Sequence, residues 1–206
     1  MQMTDEQIAK ITKINQIPKF PYETFAELKQ AVNRREVIVG AAMDFSRQWI
    51  TGGDETAPRS TRTLLNLLTF ALLILPIVLV IYAIASSQLG LLVYLIPLFL
   101  SFMMLRPMMV RTAGFLKIII FAGYIMSAAG MFNIWGNWSL WLGLSIIVPW
   151  LINKTMYKSA TNATIRASLE SEHQFVKLFK YNVVALNYPN GDMLWGNDCI
   201  ERKNNV

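Results

Sequence analysis

The middle of this 206-residue chain contains no acid. Positions 59 to 153 hold five basic residues (Arg59, Arg62, Arg106, Arg111, Lys117) and neither aspartate nor glutamate. Charge is scarce throughout, at 16% of residues, against roughly 25% in soluble domains. Cysteine occurs once, as Cys199, and histidine once, as His173. Those single copies exclude an internal disulfide framework and a Cys/His zinc site within one chain. A lone cysteine also fits a reducing compartment. His173 follows two acids in ESEHQ with no second group converging on it, so it reads as a solvated helical histidine. Nothing near Cys199 activates a thiol. No glycine-rich phosphate loop is present, and neither a cofactor nor a metal is expected.

What the chain has is apolar sequence: 54% of residues are hydrophobic and the mean hydropathy is +0.38. Four apolar segments cover about 64–85, 89–105, 113–132 and 135–152. A helix crossing the hydrocarbon needs about 17–25 residues. The first and third segments satisfy this, and the second is at the limit. The fourth starts in the interface near Trp135 and continues beyond Lys154. The expected fold is a mostly α membrane protein with four transmembrane helices in two hairpins. A cytoplasmic helical segment, 1–58, precedes them, and a cytoplasmic helix plus β-hairpin, 154–206, follows.

The connections set the orientation. Ser86-Ser87-Gln88 and the stretch 133–137 carry no charge, whereas SFMMLRPMMVRTAGFLK, 101–117, carries Arg106, Arg111 and Lys117. Arg59 and Arg62 precede the first segment; Lys154 and Lys158 follow the fourth. All seven boundary cations fall on one side, which the positive-inside bias makes cytoplasmic, so both termini are expected inside. Residues 106–112 are then the cytoplasmic turn between the second and third spans, with Pro107 interrupting the helix. Trp135, Trp138 and Trp141 suit the outer headgroup region. A bacterial inner membrane is the expected location. The first span directs insertion, since no cleavable signal pattern is present. The basic surplus lies beside apolar runs and not on a solvent-facing patch, which argues against a nucleic-acid partner.

The spans contain no Asp, Glu or His. Proton relays and ion-coupled transporters need ionisable groups at mid-depth, and a serine without a base is no nucleophile. No catalytic residue is therefore expected. Small residues recur instead: Gly123, Ser127 and Gly130 share a face of the third span, and Ser139 and Gly143 a face of the fourth. Such faces let helix backbones approach closely, either between these two spans or between copies of the chain.

In the first flank Thr4 can cap a helix, and Ile8, Ile11 and Ile14 recur at three-residue spacing. Thr24-Phe-Ala-Glu27 is a capping box starting a helix to about Arg35. EVIVGAAMDF carries both strand and helix signals, and 51–60 reads as a linker. After the fourth span, helix is expected to about Lys180. VVALNYPNGDMLW then reads as two short strands around a turn whose Asn190-Gly191 supplies positive φ values. The tail ERKNNV is expected to be disordered. Flanking pieces this small bury little alone, so they are expected to pack on each other or on a partner.

These features favour a non-enzymatic membrane protein acting as an accessory, regulatory or scaffolding subunit of a membrane complex. Its partners would be the bilayer and another membrane or cytoplasmic protein. The alternative is a homo-oligomeric pore or membrane-perturbing effector built on the small-residue faces, although a pore needs a polar lining that the spans barely supply.

Overall fold

Four isoleucines, Ile8, Ile11, Ile14 and Ile17, recur at every third position, and all four are buried. A strict three-residue repeat drifts off one face of an α-helix but suits a 3-10 helix. In the computed structural model, which describes residues 3–200, this stretch forms only a six-residue helix, α1 (Asp5–Lys10), and then a 3-10 turn, Ile14–Gln16. Thr4 caps α1 through a capping box with Gln7. The second capping box also forms: Thr24 and Glu27 open α2 (Phe25–Asn33). The ambiguous stretch resolves into both alternatives, β1 (Ile38–Ala41) followed directly by α3 (Met43–Thr51).

Helix α4 (Arg59–Ala85) is one uninterrupted element of 27 residues with Pro76 inside it. The second apolar segment is divided: a 3-10 helix, Leu89–Tyr94, leads into α5 (Leu95–Met104). The expected turn at 106–112 is instead a short helix, α6 (Pro107–Thr112), with Pro107 in its first turn. There its missing N–H leaves no bond unmade and its fixed φ favours initiation. Then come α7 (Gly114–Met131) and α8 (Asn137–Glu170), 34 residues long. The helix expected to run to Lys180 breaks at Ser171, whose side chain accepts from the N–H of Gln174 at 3.2 Å and caps α9 (Glu172–Lys180). The chain continues through β2 (Val184–Asn187), β3 (Met193–Leu194) and α10 (Gly196–Cys199). The tail from residue 201 lies outside the described residues.

The molecule is mostly helical with one small antiparallel sheet, ordered β1-β2-β3. Ile38 pairs with Asn187 and Ala41 with Val184; Asn187 in turn pairs with Met193. Between β2 and β3 the N–H of Gly191 donates to the carbonyl of Tyr188 at 3.0 Å. Pro189 and Asn190 are thus the central residues of the turn. Only Gly191, at φ 92°, takes the left-handed conformation expected of both Asn190 and Gly191. Proline before asparagine explains the shift, because it presets the first central position of a type I turn.

Two compact units result. One comprises the residues up to Arg62 together with those from Ser159 onward, and the other is Thr63–Lys158. In the first, the isoleucines of the N-terminal stretch and Leu28 share a core with Phe175, Val176, Phe179, Val184 and Leu186. Phe175 and Phe179 stack at 5.6 Å between centroids, and Phe20 meets both edge-on at 5.9 and 5.2 Å. The two chain ends therefore supply one core and one sheet.

In the second unit, two described helices are long and apolar enough to cross a membrane, α4 and α7, where four were expected. Residues 89–104 form a shorter apolar stretch. Only 17% of the apolar part of α4 and 33% of that of α7 is buried.

Candidate functional site

The segment 51–60, expected to be a linker, is tied down. After α3, Gly53 turns the chain at φ 87° and presents Asp54. One carboxylate oxygen, Oδ1, accepts from the backbone N–H of Thr56 at 3.0 Å and from its hydroxyl at 2.6 Å. The other, Oδ2, accepts from the Trp49 indole N–H at 3.1 Å and is 2.7 Å from the Lys177 ammonium of α9. Gln174, one turn earlier on α9, donates to the Thr56 carbonyl at 3.2 Å. Arg62 donates through Nε to the Ile50 carbonyl at 2.9 Å and through Nη2 to the Asp54 carbonyl. Burial pushes the Asp54 carboxyl upward. The hydrogen bond from Lys177, the two from Thr56 and the Lys177 charge outweigh that and hold it far below the usual carboxylate range. The result is a clasp joining the connection ahead of α4 to α9.

Beside the clasp is an open cleft of about 280 Å³ lined by Phe45, Trp49, Asp54, Lys177, Tyr181 and Val183 among others. Phe45 and Tyr181 are half exposed at it. One turn beyond Lys177, Lys180 is buried and donates to the carbonyls of Ile8, Ala9 and Ile11 at 3.2–3.3 Å. These are carbonyls at the C-terminal end of α1, where a cation is favoured. Burial, and then the charge of Lys177, lower the Lys180 pKa from its ordinary value. Cys199 is buried too; burial and then the Asp198 charge, opposed by Lys19, push its thiol up to about 11. His173 is exposed. Among the described residues, no group of three or more His, Cys, Asp and Glu is placed to hold a metal.

Of the seven boundary cations, Arg59, Arg106, Arg111, Lys117, Lys154 and Lys158 are exposed. Lys154 lies 4.7 Å above the ring of Trp150. Arg62, also expected at the membrane boundary, is half-buried and donates to backbone carbonyls in the clasp. The small residues are brought together between α7 and α8. A Cβ on Gly143 would overlap the Ser127 hydroxyl and come within 2.6 Å of the Gly123 carbonyl oxygen. One on Gly130 would be 2.6 Å from Leu140 Cα, and one on Gly123 3.2 Å from the Ile146 side chain. Ser139 is buried, donating to the Gly136 carbonyl at 2.9 Å.

Sequence reasoning missed Asp54, Lys177 and Lys180. The turn around Asp54 left a local signal, an aspartate two residues before a threonine. The partnership with Lys177 left none, since the two are distant in the chain. Lys180 follows Phe179 and lies four residues after Val176, on the buried side of α9, and that phase was the readable clue. Comparison with protein-family models, curated proteins and solved structures gives no match.

Proposed function

We propose that the chain is a four-pass membrane protein, both termini cytoplasmic, that acts without chemistry of its own as an accessory or scaffolding subunit of a membrane complex. The observation that carries the membrane reading is α4, an apolar helix of 27 residues whose hydrophobic stretch is only 17% buried. Surface of that kind is stable against lipid and costly against water. Length supports a reading of four crossings. Six 3-10 residues at about 2.0 Å and ten α residues at about 1.5 Å carry Leu89–Met104 through roughly 27 Å, close to the ~30 Å hydrocarbon core. The apolar start of α8 supplies the fourth crossing, and the uncharged and cationic connections alternate as the positive-inside bias requires. A bacterial inner membrane suits the short connections.

The unit built from the two chain ends would be the part that meets the partner. It carries its own core, so its role does not depend on a partner to fold it. The pore alternative loses support, because the small-residue faces it would use are occupied between α7 and α8.

Topology is tested in a Cys199→Ala background with single cysteines at Ser87, Asn133 and Met108. In intact cells an impermeant maleimide should label the first two positions, and Met108→Cys only after permeabilisation. Protection of both Ser87→Cys and Asn133→Cys would overturn the four-pass reading. The accessory role is tested by native mass analysis after gentle extraction into nanodiscs. A stoichiometric foreign subunit is expected, and a ring of identical chains would replace this reading with the pore.

A further inference from the structure

Within Thr63–Lys158, four elements line one apolar groove of about 210 Å³, among them Leu75, Leu79 and Tyr82 of α4, Tyr94 of the 3-10 helix and Leu98 of α5. Trp141, Ser145 and Val148 of α8 complete it. The groove is polar at one end only. Tyr82 and Trp141 meet there with ring centroids 5.2 Å apart, and Tyr94 packs in the same cluster. Away from that end, α4 runs back to Leu75 while α5 and α8 run on to Leu98 and Val148. A second cavity of about 250 Å³ continues in that direction. It shares Leu75 and Leu98 with the first and adds Leu72, Phe102 and Pro149. From Tyr82 to Leu72 is ten residues of helix, roughly 15 Å.

No charged side chain lines either cavity. The indole N–H of tryptophan only donates, and a tyrosine hydroxyl readily donates. Among the described residues none of these three polar atoms has a hydrogen-bond partner within the chain, whereas the Ser145 hydroxyl is spent on the Leu142 carbonyl at 2.7 Å. One end of the groove thus carries three side chains with donor groups, and the rest of its length is hydrocarbon apart from Ser145.

We propose that this groove holds one acyl chain of a membrane glycerolipid, with the ester carbonyl at Tyr82, Tyr94 and Trp141 and the chain running toward Leu72 and Phe102. An ester carbonyl is a neutral acceptor, which suits a rim of donors without charge. A helix from a partner protein would bring side chains at every turn and would not need its polarity confined to one end. In the proposed topology the rim is at the outer face, so the lipid comes from the outer leaflet. The inference rests on the membrane reading above.

The test uses the full chain in vesicles of phosphatidylethanolamine and phosphatidylglycerol. A trace of phosphatidylethanolamine carries a diazirine in one acyl chain. After irradiation and proteolysis, label should concentrate in residues 72–82, 94–102 and 141–149, over the exposed Ile118, Phe121 and Ile125 of α7. Leu98→Trp, which fills the groove, should abolish that enrichment. Tyr94→Phe, a gentler change, should weaken it by several-fold. Both variants should still resist carbonate extraction. Even labelling of every lipid-facing helix in a carbonate-resistant chain would overturn the bound lipid alone, as would crosslinks at these residues to a second polypeptide. Release of the wild-type chain by carbonate would overturn the membrane reading, and this inference with it.

Discussion

Asp54 accepts two hydrogen bonds from Thr56 and one from Trp49 and pairs with Lys177, so its removal strands several donors at once. Asp54→Ala should cost the unit about 1–3 kcal/mol, read by chemical denaturation, since hydrogen bonds to a charged group are the stronger kind. The pH dependence has a definite sign. A carboxylate whose folded pKa is lowered contributes stability that is complete above its unfolded value of ~3.9, and loses it progressively as pH falls from there through the lowered one. The Trp49 indole N–H resonance should therefore hold its position from neutrality down to about pH 4. Cys199 should behave in the opposite sense. With its thiol pushed up to about 11, it should resist a disulfide reagent at neutral pH and react only once the unit is unfolded. Local chemistry of this kind was partly readable: the Thr24–Glu27 capping box formed as its spacing implied, and Thr4 caps α1 as expected. The clasp was not, because its strongest partner comes from α9.

At the scale of elements, α7 and α8 approach closely where both carry small residues. Gly143→Leu should destabilise their packing by about 1–3 kcal/mol, the usual range for overpacking, seen as a lower melting temperature in detergent. Gly90→Ala, where an added Cβ meets nothing within 4 Å, should leave that temperature unchanged. Lys180→Met should free the carbonyls at the end of α1 and make the N-terminal stretch sensitive to protease well before the remainder of its unit. Apolar runs and cationic connections were legible as patterns, since hydropathy needs no partner to be read. Element ends were less so. The division of 89–104 into 3-10 and α helix falls just ahead of Pro97, which lacks an N–H and takes the first turn of α5, and the break at Ser171 had only the Ser171–Gln174 capping spacing to announce it.

At the scale of the whole chain, β1 pairs with β2 although all of Thr63–Lys158 comes between them in sequence. Sequence patterns show which strands exist but seldom which distant strand each will choose, so the pairing of β1 with β2 is not legible in either strand alone. Deleting 1–58 should therefore do more than remove a peripheral piece. It should expose Phe175, Val176, Phe179 and one edge of β2 to solvent, measured as aggregation or rapid degradation of a chain whose α4–α8 is intact.

That pairing also fixes an order of events. During synthesis the first 62 residues emerge with half a core and no strand for β1 to join. They wait, exposing isoleucine and phenylalanine, until every intervening helix has been made and β2 follows. A chain that stalls on the way cannot close its sheet. The sheet therefore closes only after the whole of Thr63–Lys158 has been made.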